Sequence, residues 1–337
     1  MRVIVIGAGA VGLMAALRLA ERGADVLVLE SEPEGFAPTR GASRAAAGML
    51  GPLSETLYEH AGTHPRLLEL GLASLDMWRT LGPRLALSTF PARGARLVGY
   101  SDSAIEALAA RAKTLGRAIA QRDGALSVPD EAAIGAAEAL GAIARAALER
   151  GAQIRRGVEV VAVTAKQVTL ADGAKESADA IVVATGAWSA PLIPNAPAIS
   201  PVKGQILEVD SSALAPGETV RSPNAYAVGR APGRVIIGAT MEHGRIDLDT
   251  DEATIDAMRA KAAKIDPSLP DARVVRAWAG IRPTSADWAP RIGRVGDVFI
   301  ARGHSRNGWL LAPITADMLC AYVFGEAIPE LWAAFAP

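Results

Sequence analysis

The glycines of Gly7-Ala8-Gly9-Ala10-Val11-Gly12 and the acid Glu30 have the types and spacing to hold a dinucleotide. Gly7 suits a tight turn, Gly9 lets backbone approach a pyrophosphate, and Gly12 lets a helix pack closely on a strand. The helix that opens at Ala10 and Val11 then offers N–H groups and a positive dipole to the phosphates. Glu30 is placed to accept hydrogen bonds from a ribose 2′-OH, which argues against a 2′-phosphate. The elements that must position these groups are legible around them. Val3-Ile4-Val5-Ile6 reads as a buried strand, residues 13–20 have helical spacing, and Val26-Leu27-Val28-Leu29 reads as a second strand ending on the acid. The glycine pattern alone is weak, but strand, turn, helix, strand and acid in order make it strong. The bland alternative is a glycine turn that only packs helix on sheet.

The 337 residues allow one large or two ordinary domains. Half the residues are hydrophobic, 21% are charged and the net charge is −1, so no global field draws the chain to nucleic acid or anionic membrane. Cys320 is the single cysteine, which excludes a disulfide within the chain and fits a reducing compartment. It sits in an apolar helical pattern, so it reads as buried filler. The uncharged stretch after Arg2 is broken by glycines and falls short of membrane thickness. A cytoplasmic protein without a membrane span is expected.

Further along, a polar loop with Pro33, Gly35 and Pro38 precedes the small residues from Gly41 to Leu50, which permit close approach of backbone to something flat or bulky. Helices are expected over residues 65–81, 104–115, 132–151, 251–265 and 312–324. Strands are expected at 96–100, 205–209, 225–228, 234–239 and 297–301, with a hairpin at 158–163 and 167–170. Residues 178–189 read as a buried strand ending in a glycine turn. Pro191, Pro194 and Pro197 then mark a domain crossover. Three separated pieces, 3–30, 181–189 and 297–312, each pair a buried strand with a glycine turn. They suggest a nucleotide domain interrupted by insertions, with a second domain threaded between. A flavin adenine dinucleotide (FAD) is long and suits such spread contacts; an ordinary α/β sheet would give the same turns.

Taken with these motifs, the chain resembles the glycine oxidases of the D-amino acid oxidase superfamily, flavoenzymes linked in many bacteria to thiazole synthesis for thiamine. The resemblance runs nearly the full length. It rests on Ala45-Ala46-Ala47-Gly48-Met49-Leu50, Ala184-Thr185-Gly186-Ala187-Trp188-Ser189 and Pro201-Val202-Lys203-Gly204-Gln205. It continues through Gly238-Ala239-Thr240-Met241-Glu242, Trp278-Ala279-Gly280-Ile281-Arg282-Pro283 with Asp287 and Pro290, and Gly303-His304-Ser305-Arg306-Asn307-Gly308. It implies an α/β fold: a discontinuous Rossmann-type FAD-binding domain (1–80, 136–196 and 292–337) plus an α+β substrate domain with a mixed or antiparallel sheet (81–135 and 197–291). Ser43, Ala46, Ala47, Gly48 and Met49 would lie along the pyrophosphate and flavin ring, and Val160 would hold the adenine through its backbone. Thr185, Gly186 and Trp188 would also face the cofactor. The run from Gly303 through His304, Ser305, Arg306, Asn307, Gly308, Trp309 and Leu310 would pass the pyrimidine end of the ring. A helix starting near Ala312 would aim its dipole at flavin N1–C2=O.

By the same resemblance Arg282 binds the substrate carboxylate. The planar guanidinium can give such a group two parallel charge-assisted bonds. Arg306 and Tyr226 assist there, and Met241 and Met49 line the pocket. Glu55 matches an acid near the pocket mouth, where a solvated carboxylate is the plain reading. His304 is expected to be structural, its backbone being the part used. Related sarcosine oxidases bind flavin covalently through a cysteine in the arginine segment. Ile281 stands in that place here, so non-covalent FAD is expected. The implied reaction is oxidation of a small amino acid by hydride transfer to flavin N5, giving an imino acid, then a keto acid and ammonia. Oxygen, reduced to peroxide, or another acceptor takes the electrons, and a homo-oligomer is in keeping with the family. The alternatives are a D-amino acid or secondary-amine oxidase on the same scaffold, a dehydrogenase that feeds a quinone or partner subunit, and a nucleotide-binding protein without turnover.

Overall fold

The computed structural model describes residues 1–33, 41–88, 93–122, 125–189 and 191–337. Gly35 and Pro38 of the expected polar loop lie outside them.

A six-stranded sheet gathers strands from distant parts of the chain. Arg2–Ile6 lies between Asp25–Glu30 and Ala180–Val183, parallel to both. Gln153–Arg156 extends one side in parallel, and Val298–Arg302 the other. Arg291–Val295 closes the edge antiparallel. The central strands are buried on both faces, as their unbroken apolar runs require. Helix Ala10–Glu21 lies against Gly308–Phe324 and Ala136–Glu149, and their apolar side chains form the largest core cluster.

A nine-stranded sheet forms the other main layer. Its spine is Ser200–Asp210, which runs antiparallel to Val274–Thr284 from Ser200 opposite Thr284 to Val209 opposite Val274. Arg234–Gly238, Ala225–Arg230 and Thr219–Ser222 follow antiparallel, but Ala95–Leu97 joins Thr219–Ser222 in parallel. The sheet is therefore mixed. The expected hairpin is Val160–Val163 with Gln167–Leu170, completed by Lys175–Ser177.

Two expected helices start elsewhere. Residues 132–151 divide: Ala132–Ala133 pairs with Met49–Leu50 as a short strand, and the helix runs Ala136–Glu149. Ile134 N–H donates to Gly48 O at 2.9 Å, so pairing overrides the helical preference of alanine. The last long helix begins at Gly308, a turn before the expected Ala312. Pro313 lies inside it and cannot donate to Trp309 O. The Trp78 indole N–H supplies that bond at 3.0 Å, and Ser74 Oγ donates to Leu310 O at 2.6 Å. Two side chains from Leu67–Arg84 thus repair the first turn of a helix remote in sequence.

Candidate functional site

One cavity of about 1310 Å³ runs from the Gly7–Val11 turn to Arg282 and Tyr226. Ordinary small-ligand pockets are about 300–1,000 Å³, so this one has room for a long ligand and a second small one. Gly7 has φ +104°, and a Cβ on it would meet Ala184 O at 2.7 Å. A Cβ on Gly12 would overlap Gly7 O, so Gly12 packs helix onto turn without lining the cavity. Glu30 is fixed at its strand end: Ala8 N–H donates to its Oε2 at 2.6 Å and Glu32 N–H to its Oε1 at 3.0 Å. Gly9 gives the helix no side-chain cap. Ser43 Oγ does so instead, accepting from Ala10 N–H at 2.9 Å.

Ser43, Ala46, Ala47, Gly48 and Met49 also line the cavity, as do Val160, Thr185, Gly186 and Trp188. Trp309 Nε1–H donates to Ser43 O at 2.8 Å and Trp278 Nε1–H to Ala45 O at 3.0 Å. Arg230 donates to Ala47 O at 2.5 Å and Ile134 O at 2.9 Å, tying the second sheet to this loop. Thr185 Oγ1 is buried with no protein partner and belongs to a lining residue. An unfilled hydroxyl, a glycine turn and a long cavity fit a dinucleotide that reaches Arg282. Cys320 is buried in the Gly308–Phe324 helix outside this lining, so no thiol stands where it could bond to the ligand.

The segment before that helix forms one wall. His304, Ser305, Arg306, Asn307, Gly308 and Trp309 line the cavity; Leu310 does not. The Leu310 carbonyl and side chain meet Ser74 and Gly71. Gly303 and Ser305 have positive φ, and Ser305 N–H is anchored on Pro283 O at 2.8 Å. His304 Nε2 shares a hydrogen bond with Thr315 Oγ1 at 3.0 Å.

Burial holds the His304 imidazole at about 4, below its ordinary 6.5. The folded chain therefore keeps it neutral while the unfolded chain takes up a proton as pH falls through 6.5. Its contribution is whole above that pH and is lost between 6.5 and about 4. At about 1.4 kcal/mol per pH unit, the loss reaches roughly 3 kcal/mol. Urea midpoints should fall across this window, with a shallower slope for His304→Gln; equal slopes would contradict the assignment.

Arg282 enters from the Val274–Thr284 strand. Its Nη1–H donates to Thr240 O at 3.1 Å, and no carboxylate among the described residues lies within ion-pair distance. Burial lowers its pKa, so the site favours an arriving anion. A Cβ at Gly204 would overlap its guanidinium, and one at Gly238 the Tyr226 hydroxyl, so both glycines clear space for the two groups. Burial raises the Tyr226 pKa and keeps the phenol protonated. Met49 and Met241 line the same cavity.

Glu55 is not a solvated carboxylate. It is mostly buried, with Arg306 Nε 2.5 Å from Oε1 and Arg221 Nη1 2.8 Å from Oε2. Burial pushes its pKa up, but Arg306 and Arg221 outweigh that and lower it. Arg306 stacks 4.4 Å from the Tyr58 ring centroid. Sequence reasoning missed Arg221. It lies in Thr219–Ser222, whose four residues are all buried although three of them are polar, so hydrophobic patterning gives no sign of its place. It also missed Glu131, which accepts from Ser54 N at 2.8 Å and Ser54 Oγ at 2.5 Å.

The chain is similar to known proteins over nearly its full length. A glycine oxidase of Bacillus licheniformis is 30% identical over 98% of this chain and 94% of its own. One from Pseudomonas aeruginosa is 32% identical over 96% and 95%. The crystal structure of glycine oxidase from Geobacillus kaustophilus is similar at a TM-score of 0.87 and 26% identity, covering 99% of this chain and 98% of that one. Residues 2–322 match the family described as DAO, FAD dependent oxidoreductase. The chain belongs to that family and is an FAD-dependent oxidoreductase.

Proposed function

We propose that the chain oxidises a small amino acid of the glycine, sarcosine or D-alanine type to an imino acid. Water then hydrolyses that product to a 2-oxo acid and ammonia, or methylamine where sarcosine is the substrate. The observation that carries the reading is Arg282: a guanidinium without a carboxylate partner, on the wall of the cavity that begins at the Gly7–Val11 turn. Arg282 grips the substrate carboxylate through two parallel bonds, and Tyr226 donates a third from its phenol. Arg306, held by Glu55, adds positive charge on the same wall. Met49 and Met241 narrow the space beside the α-carbon. Bound FAD supplies the acceptor for the two electrons and the hydrogen that leave that carbon. Gly7, Gly9, Ala10, Val11, Glu30, Ser43, Val160, Thr185 and the 303–309 segment hold it. Oxygen is the terminal acceptor, giving peroxide.

Among the described residues no side chain near Arg282 is set to take the amine proton. His304 is neutral but spent on Thr315, and Tyr226 stays protonated. The substrate amine must therefore enter neutral. Glycine added without oxygen should bleach the bound flavin and release ammonia with glyoxylate. In steady state, kcat/KM should climb from pH 7 towards 10 as the amine loses its proton. An unbleached flavin sinks the proposal; a flat pH profile sinks the neutral-amine step.

A further inference from the structure

Arg221, Arg282 and Arg306 all line the substrate end of the cavity. One ionised carboxylate stands among them. Glu55 gives Oε1 to Arg306 and Oε2 to Arg221, while Arg282 has none. The other acid near Arg221, Glu131, makes no ion pair among the described residues. Glu131 has an oxygen on Ser54 N–H and the other on Ser54 Oγ, and burial raises its pKa against the pull of Arg221 and Ser54. The Tyr226 phenol feels all three guanidiniums.

A single substrate carboxylate on Arg282 leaves the Arg306–Glu55–Arg221 group with one surplus positive charge. Donors on both guanidiniums are unused. Arg306 Nη1 and Nη2 make no hydrogen bond among the described residues, and Arg221 Nε is buried without a partner. The Tyr58 ring covers one face of the Arg306 guanidinium, which leaves its edge for an acceptor in the plane. We propose that this edge is a subsite for a second acid group, so that the pocket takes amino acids bearing two carboxylates. Arg221 creates the surplus: without it, Glu55 would neutralise Arg306 alone. The proposal rests on Arg282 holding the first carboxylate, as in the function proposed above.

Calorimetric titration of the FAD-bound protein at low salt tests the subsite without turnover. The probes are acetate, malonate, succinate and glutarate. At least one dicarboxylate should bind tenfold or more tighter than acetate. That advantage should fall at least threefold in Arg221→Met and persist in Arg221→Lys. Less than tenfold for all three dicarboxylates overturns the subsite, and so does an unchanged advantage in Arg221→Met. The wild-type series decides alone if the Met variant does not fold. Bleaching by glycine with equal binding of the four acids would remove the subsite and leave the proposed function standing.

Discussion

Arg282→Met should lower kcat/KM for a small amino acid roughly a hundredfold to ten-thousandfold while the protein stays yellow. Two charge-assisted bonds to a carboxylate contribute about 1.5–3 kcal/mol each, or about 3–6 kcal/mol together. The loss should fall mainly on KM, because the grip is made before the C–H bond breaks. Folding should change little. Arg282 has no ion-pair partner that its removal would strand, and only the Thr240 carbonyl loses a donor. Steady-state kinetics beside the flavin absorbance check both halves. Near-normal kinetics would mean that the carboxylate is held elsewhere.

Glu55→Gln should have the largest effect on stability. The carboxylate is shared between two guanidiniums, and Arg221 is 2% exposed. Removing one partner of a buried ion pair costs about 3–5 kcal/mol, because the remaining charges lose their counterion away from water. Glu131 is held on Ser54 through both oxygens and makes no ion pair with Arg306 or Arg221 that could replace Glu55. Urea unfolding of the FAD-bound protein measures the difference. A change below about 0.5 kcal/mol, the level of an ordinary surface substitution, would contradict the buried triad.

What was legible in the sequence was mostly local. Gly7, Gly9, Gly12 and Glu30 lie within one strand–helix–strand unit, so their spacing carries their geometry. The glycines at 204 and 238 could be read only as parts of motifs. Their use, clearing space for Arg282 and Tyr226, depends on pairing of Ser200–Asp210 with Val274–Thr284 and of Ala225–Arg230 with Arg234–Gly238. Glu55 misled for the same reason. Its two cations arrive from Thr219–Ser222 and from the turn before Gly308, neither near it in sequence. The last long helix starts a turn before Ala312 because the Trp78 and Ser74 donors that permit a start ahead of Pro313 come from another helix, remote in sequence.

The central claim is a guanidinium that grips an acid group in front of bound FAD. Titration of the oxidised protein with glycolate, followed in the visible flavin bands, tests it most directly. A saturable perturbation is expected in the wild type and should disappear in Arg282→Met. A perturbation of equal size and midpoint in both proteins would contradict it.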